Sequence, residues 1–148
     1  MLSLFLTLSL AHAADKAPPS MTLEHAKKMM SAAEAYAKGK KVPCSIAVAD
    51  DTGYPVMMEK MDNVMMASTS LAPEKAKTAV IFKKNTADIE KMINDGRTAM
   101  VTAGNWTLMQ GGLVILHDGK VIGAIAASCD VKDQDIPVAQ AGLDAFKP

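Results

Sequence analysis

The chain has 148 residues, of which 16 are basic and 16 acidic, and its formal net charge is +0 at pH 7. This length suits one domain around one hydrophobic core. A neutral chain lacks the basic field that binds a phosphate backbone, so the composition argues against a nucleic-acid partner. Beyond residue 13 no apolar run approaches the roughly 20 residues that span a bilayer, so we expect no membrane span.

The N-terminus has most features of an export signal. An apolar run over residues 1–10 precedes Ala11-His12-Ala13, a small-x-small site of the kind that signal peptidase cleaves. We therefore predict a signal peptide over residues 1–13, a flexible lead over 14–20 and a single domain over 21–148, in a periplasmic or secreted protein. No Lys or Arg precedes the apolar run, so a disordered apolar N-terminus is the alternative.

The first predicted element is a helix that begins after Thr22, a good N-cap residue, and ends at Gly39. One apolar stripe has the spacing of a buried helix face and consists of Leu23, Ala26, Met30, Ala33 and Ala37. A second stripe lies directly beside it and consists of His25, Met29, Ala32 and Tyr36. Together they cover about half of the circumference, which is more than a surface helix needs. We therefore expect this helix to contact something besides its own core.

The remaining pattern predicts two hairpins and three further helices. In chain order these are a strand over 43–49, a strand over 54–59, a helix over 71–84 capped by Ser68 or Ser70, a helix over 86–93, strands over 113–116 and 121–128, and a final helix capped by Asp133 or Asp135. The turns are Asp51-Thr52-Gly53 and Asp118-Gly119. This order predicts an α/β (α+β) fold with a mainly antiparallel sheet and helices on its faces.

Several segments, in this order and spacing, resemble the GlcG/HbpS-type domain family over residues 21–146. They are Thr22-Leu23-Glu24, the run Ser45 to Gly53, Met61-Asp62, Ala67-Ser68, Lys75-Ala76, Thr78-Ala79, Gly111-Gly112-Leu113, Gly119 to Ile125, Ser128 and Gln134-Asp135. The chain departs from the family pattern at Val114, where Pro is usual, at Cys129, where Gly is usual, and at Lys60, where Arg is common.

The resemblance implies a profilin-like α/β/α sandwich with a five-stranded sheet, assembled into homo-oligomers such as octamers. It also implies haem as the cofactor, because some members bind haem and a histidine on their first helix is implicated as an iron ligand. His25 is the residue here that matches. The function implied is an exported haem (tetrapyrrole)-binding protein that acts in sensing, storage or scavenging.

The candidate haem-binding residues are His25, Met29 and Tyr36, with His25 as the iron ligand. Imidazole is a common ligand of haem iron, and the macrocycle needs an apolar wall such as the second stripe supplies. The alternative interpretation of His25 is a partly exposed helix histidine without a ligand. His117, beside the Asp-Gly turn, is predicted to be solvated.

Two other functions stay open. No common catalytic motif is present, which argues against an enzyme, but an enzyme or accessory protein acting on another small molecule is the second hypothesis. The third is a periplasmic copper protein, because thioethers bind Cu(I) and five methionines crowd one segment: Met57, Met58, Met61, Met65 and Met66. Core filling or an oligomer contact is the favoured explanation of these methionines, because Met57 and Met58 fall on opposite faces of the predicted strand and cannot both line one site.

Two cysteines, Cys44 and Cys129, either form a disulfide, as an exported protein permits, or serve as small core residues. No CxxCH motif is present, so covalent haem attachment of the c type is excluded.

Overall fold

The computed structural model describes residues 20–147, so the predicted signal peptide lies outside the described residues. The elements are α1 (Leu23–Lys40), β1 (Cys44–Asp50), β2 (Pro55–Lys60), α2 (Ser68–Phe82), α3 (Thr86–Asn94), β3 (Gly112–His117), β4 (Lys120–Cys129) and α4 (Asp135–Asp144). Short 3-10 turns at Thr98–Thr102 and Lys132–Gln134 precede β3 and α4. The two predicted hairpins and the four predicted helices are therefore confirmed.

The described strands form one antiparallel sheet in the order β2-β1-β4-β3. The prediction of five strands is wrong, because within residues 20–147 the sheet has four. The two hairpins supply all of them. The segment between α3 and β3 lacks the alternation that a strand needs, and it forms a 3-10 turn and irregular chain instead.

Helices cover both faces of the sheet, which confirms the predicted α/β/α sandwich. On one face, α1 and α4 pack over the main core, whose sheet side chains include Ile46, Val48, Ile115 and Ile125. On the other face, α2 packs over small side chains such as Ala49, Ala124 and Ala126. Alternate residues of β1 therefore serve the two layers, and both faces are buried, so β1 is an almost unbroken apolar run.

The wide apolar arc of α1 has an explanation within the domain. α4 lies beside α1, and a Cβ built on Gly142 of α4 would come within 2.9 Å of the carbonyl oxygen of Met29 and 3.2 Å of Cβ of Ala33. Glycine permits this close approach, so α1 packs against α4 as well as against the sheet, and residues of both stripes are buried. Helix α4 therefore covers part of the arc within the domain, whereas His25 and Tyr36 remain half-buried.

The helix ends differ from the predictions in detail. Helix α1 continues through Gly39, and Lys41 takes the left-handed conformation at φ 56°, from which its N–H bonds carbonyls of the last turn. Helix α2 begins at Ser68, three residues before the predicted Leu71, so Pro73 lies in its second turn. No side chain caps α2 at Ala67.

None of the helices within residues 20–147 is long and apolar enough to cross a bilayer.

Cys44 and Cys129 are bonded to each other, which decides between the two roles left open by the sequence. They are directly opposite on β1 and β4, and both are buried. The bond closes a loop with a sequence separation of 85 residues. It holds the start of β1 against the end of β4, close to the point where α4 begins.

Candidate functional site

The histidine of the first helix, His25, is half-buried near the start of α1. The backbone N–H of His25 donates to Oγ1 of Thr22 at 3.1 Å, which confirms Thr22 as the N-cap. The imidazole packs edge-on against the ring of Phe146, just after α4, with centroids 5.2 Å apart and planes at 80°. The imidazole therefore lies at the seam between α1 and the end of the chain, neither free in solvent nor within the core.

Within the described residues, neither nitrogen of this imidazole makes a hydrogen bond. Nδ1 is buried and without a partner. Nε2 is not buried to that extent, so it is the nitrogen that a ligand can reach. A neutral imidazole has one N–H and one lone pair, and a metal takes the lone pair. Because no protein group uses it, the imidazole of His25 is available to a ligand that approaches from outside.

The three candidate haem-binding residues do not converge on one point. Met29 is fully buried, so its side chain belongs to the core under α4 rather than to a surface site. Tyr36 is half-buried, with Nζ of Lys40 5.4 Å from its ring centroid. Eleven residues of α-helix separate Tyr36 from His25, which is about 16 Å along the axis. His25 and Phe146 therefore lie at one end of α1 and Tyr36 lies near the other end.

A separate cavity of about 330 Å³ lies between the second half of α1 and the end of β2. It is lined by Glu34, Lys38, Glu59, Lys60, Met61 and Asp62. Glu34 forms an ion pair with Lys38 and a hydrogen bond with Glu59. Burial, followed by the contact with Glu34, raises the pKa of Glu59, whereas the hydrogen bond from Lys38 lowers the pKa of Glu34. The sequence does not reveal this pair, because Glu34 and Glu59 meet only through the fold.

Two residues of the family pattern, Lys75 and Asp135, form a buried ion pair. Nζ of Lys75 donates to Oδ2 of Asp135 at 2.7 Å and to the carbonyl oxygen of Ala127 at 3.3 Å. The N–H of Cys129 donates to Oδ1 of Asp135 at 2.8 Å. The prediction that Asp133 or Asp135 caps the final helix is wrong, because α4 begins at Asp135 and no side chain makes a cap hydrogen bond at Gln134. Burial raises the pKa of Asp135, against the opposing effect of Lys75.

The methionine-rich segment is spread over different environments. Met57 is opposite Val48 and packs against the main core, whereas Met58 is opposite Ala47 on the other face of the sheet. Met61 also packs against the main core, and Met66 is 87% exposed after β2. The prediction that Met57 and Met58 lie on opposite faces is confirmed. His117, the last residue of β3, is half-buried, and its Nε2 lies 3.4 Å from Oδ2 of Asp118.

Comparisons with known proteins agree with the resemblance of the sequence. GlcG of Escherichia coli K12 is 36% identical over 108 residues, which cover 73% of this chain and 81% of GlcG. The Klebsiella pneumoniae protein ORFY superposes with a TM-score of 0.82 at 27% identity, covering 93% of this chain and 97% of ORFY. A crystal structure described as a PduOC–haem complex superposes with a TM-score of 0.79 at 25% identity, covering 87% of this chain and 96% of that one.

The family model that matches residues 21–144 is the one described as "Haem degrading protein HbpS-like". This match covers most of the chain and both layers of helices. Together with the identity to GlcG, it shows that the chain belongs to the HbpS-like family.

Proposed function

We propose that this protein binds haem, with Nε2 of His25 as a ligand of the iron. The observation that carries the proposal is the imidazole of His25, which is uncommitted to any described protein group and lies beside the apolar ring of Phe146. Haem needs one or two such donors and an apolar wall for its macrocycle. The family description and the haem complex of a 25% identical relative support the same ligand.

Haemin titration of the purified protein tests this proposal. We expect a Soret shift that saturates at a fixed haem-to-protein ratio and that His25→Ala abolishes. His117→Ala is the matched control, because His117 is a half-buried histidine at the end of β3, outside α1 and α4, and this variant should bind haem as the wild type does. A wild-type spectrum without a Soret shift would reject haem as the ligand. An unchanged spectrum of His25→Ala would reject His25 as the iron ligand.

We also propose that a second copy of the chain completes the site. His25 and Phe146, which pack against each other, would contact only one side of a flat ligand, whereas binding sites bury most of the surface of the ligand that they hold. The homo-oligomers implied by the resemblance supply the missing wall. Light scattering coupled to size exclusion, with and without haem, tests this. A protein that stays monomeric in both conditions while binding haem through His25 would contradict it.

Export is part of the same proposal. The disulfide between Cys44 and Cys129 supports it, because such bonds persist mainly in oxidising compartments. Expression of the full chain should give a product in the periplasm or medium that begins at residue 14. A cytoplasmic product that keeps its first residues would contradict export without touching the proposed haem site.

What happens to the haem after binding distinguishes sensing, storage and scavenging from degradation. Sensing, storage and scavenging all leave the Soret band intact after binding, whereas the degradation for which the family is named removes it. Spectra followed for hours, with hydrogen peroxide as the oxidant in one arm, distinguish the two outcomes. We expect a stable Soret band without peroxide.

A further inference from the structure

We infer that Phe146 is a positioning residue for His25: its ring fixes the plane of the imidazole and thereby the way in which Nε2 is presented. This inference rests on the proposed function, because it assigns a role within the same haem site. The contact between the two residues is long-range in sequence, and the first helix alone does not reveal it.

The packing of α4 against α1 sets the register of this contact. At Gly142 the two helices approach so closely that a Cβ would lie 2.9 Å from the carbonyl oxygen of Met29. Phe146, which follows the end of α4, contacts His25, which lies one turn before Met29 on α1, so the two helices run antiparallel. Phe146 lies four residues after Gly142, and His25 lies four residues before Met29. The two rings therefore face each other as a consequence of the helix register.

The geometry of the contact explains why it orients the imidazole. The rings are edge-on, at 80° and 5.2 Å, which is a preferred arrangement of aromatic pairs. Nδ1 of His25 is buried and accepts or donates no hydrogen bond within the described residues. Ligating histidines are usually oriented by a hydrogen bond to the nitrogen that the metal does not use. Here Phe146 is the group seen to hold the ring in place of such a bond.

The aromatic ring, rather than its bulk, is the feature that this role requires. Phe146→Leu keeps an apolar side chain of similar size and loses the edge-on contact, whereas Phe146→Tyr keeps the ring. The matched control is Phe82→Leu. Phe82 ends α2 and packs edge-on against Trp106, with ring centroids 5.7 Å apart.

The test combines haem affinity with the electron paramagnetic resonance spectrum of the ferric complex, which reports the orientation of an axial imidazole. We expect Phe146→Leu to weaken haem binding by about two- to tenfold, the range of an aromatic pair energy, and to broaden or split the low-spin signal. Phe146→Tyr and Phe82→Leu should keep the wild-type affinity and spectrum. Thermal unfolding of each variant verifies that it is folded.

The outcomes separate this inference from the proposed function. A folded Phe146→Leu variant with wild-type affinity and a wild-type spectrum, in a protein whose binding depends on His25, overturns the positioning role alone. Weaker binding that Phe146→Tyr does not restore also overturns it, because the ring would then not be the cause. A wild-type protein that binds no haem removes the proposed function and this inference together.

Discussion

Two polar groups near opposite ends of α4 differ in whether their buried atoms are hydrogen-bonded. In the first turn of α4, the carboxylate of Asp135 accepts hydrogen bonds from Lys75 and from the N–H of Cys129. The side chains of Lys75 and Asp135 are almost fully buried. Beyond the last turn of α4, Phe146 packs against the imidazole of His25, which has a buried nitrogen with no described partner. Native proteins satisfy nearly all of their buried polar groups. The satisfied pair is therefore part of the framework. Oγ of Ser45 and Oε1 of Gln134 are also buried without a described partner, but of these three residues only His25 carries a usual ligand of haem iron.

The largest effect should come from breaking the satisfied pair. Lys75→Met leaves the carboxylate of Asp135 buried without its cation, so we expect the free energy of unfolding to fall by about 3–5 kcal/mol. Urea denaturation measures this loss. The double variant Lys75→Met with Asp135→Leu removes both charges and should recover most of the stability, because apolar replacements of buried ion pairs are often neutral. A loss below about 1 kcal/mol in the single variant would contradict the framework role.

The disulfide close to the same end of α4 should have the next largest effect. Replacing Cys44 and Cys129 by alanine removes a bond that closes a loop with a sequence separation of 85 residues. Loops of this length correspond to about 4 kcal/mol in the chain-entropy account. We expect a corresponding drop in the urea midpoint, and the wild type in dithiothreitol should approach the variant. Haem binding should persist in the folded variant, because the disulfide and His25 lie at opposite ends of α4. Loss of binding in a folded variant would contradict this separation.

Removing the imidazole of His25, unlike removing Lys75 or the disulfide, should not lower the free energy of unfolding. His25→Leu removes a buried nitrogen that has no described partner and places an apolar side chain against Phe146. Unsatisfied buried groups cost about 1–3 kcal/mol, so we expect this variant to be as stable as the wild type or more stable by about 1 kcal/mol. The same variant should bind no haem. The control is Tyr36→Leu, which replaces another half-buried residue of α1 by leucine. Destabilisation of His25→Leu by more than about 1 kcal/mol would indicate that the imidazole has a structural role.

Local signals in the sequence predicted those parts of the fold that local chemistry decides. Thr22 marks the start of α1 because its hydroxyl accepts the N–H of His25, and Asp118-Gly119 marks the second hairpin because both residues adopt positive φ. The start of α2 was misplaced because no side chain caps it at Ala67. The hydroxyl of Ser68 faces inward and contacts that of Ser128 at 3.3 Å. A residue type alone does not reveal that choice.

The candidate site was predictable only in part, for a related reason. His25 was found because α1 carries it beside an apolar stripe, which is a local pattern. Its neighbour Phe146 comes from the other end of the chain, and the register of α4 that brings it there depends on Gly142. Met29 was assigned to the ligand because helical periodicity gives its direction on α1 but not the position of α4, which buries it.

The smallest expected effect comes from a third polar group, the carboxyl pair Glu34 and Glu59 in the cavity beside α1. The pKa of Glu59 is raised above its ordinary value of 4.5, first by burial and then by Glu34. The folded protein therefore holds this proton more tightly than the unfolded chain. Its contribution to stability is fully present below pH 4.5 and is lost as the pH rises through the folded pKa.

Glu59→Gln tests this dependence. The amide donates to Glu34 at every pH, so the decline in stability that Glu59 causes above pH 4.5 should disappear, as urea midpoints between pH 4.5 and 7.5 measure. Glu24→Gln, on α1, is the control, because the hydrogen bond from Lys28 lowers the pKa of Glu24. That carboxylate contributes stability above pH 4.5 and loses it as the pH falls, so its removal should leave the decline above pH 4.5 in place. Equal pH profiles for the wild type and Glu59→Gln would show that Glu34 and Glu59 share no proton in the folded protein. The cavity pair would then resemble the exposed ion pairs of α1.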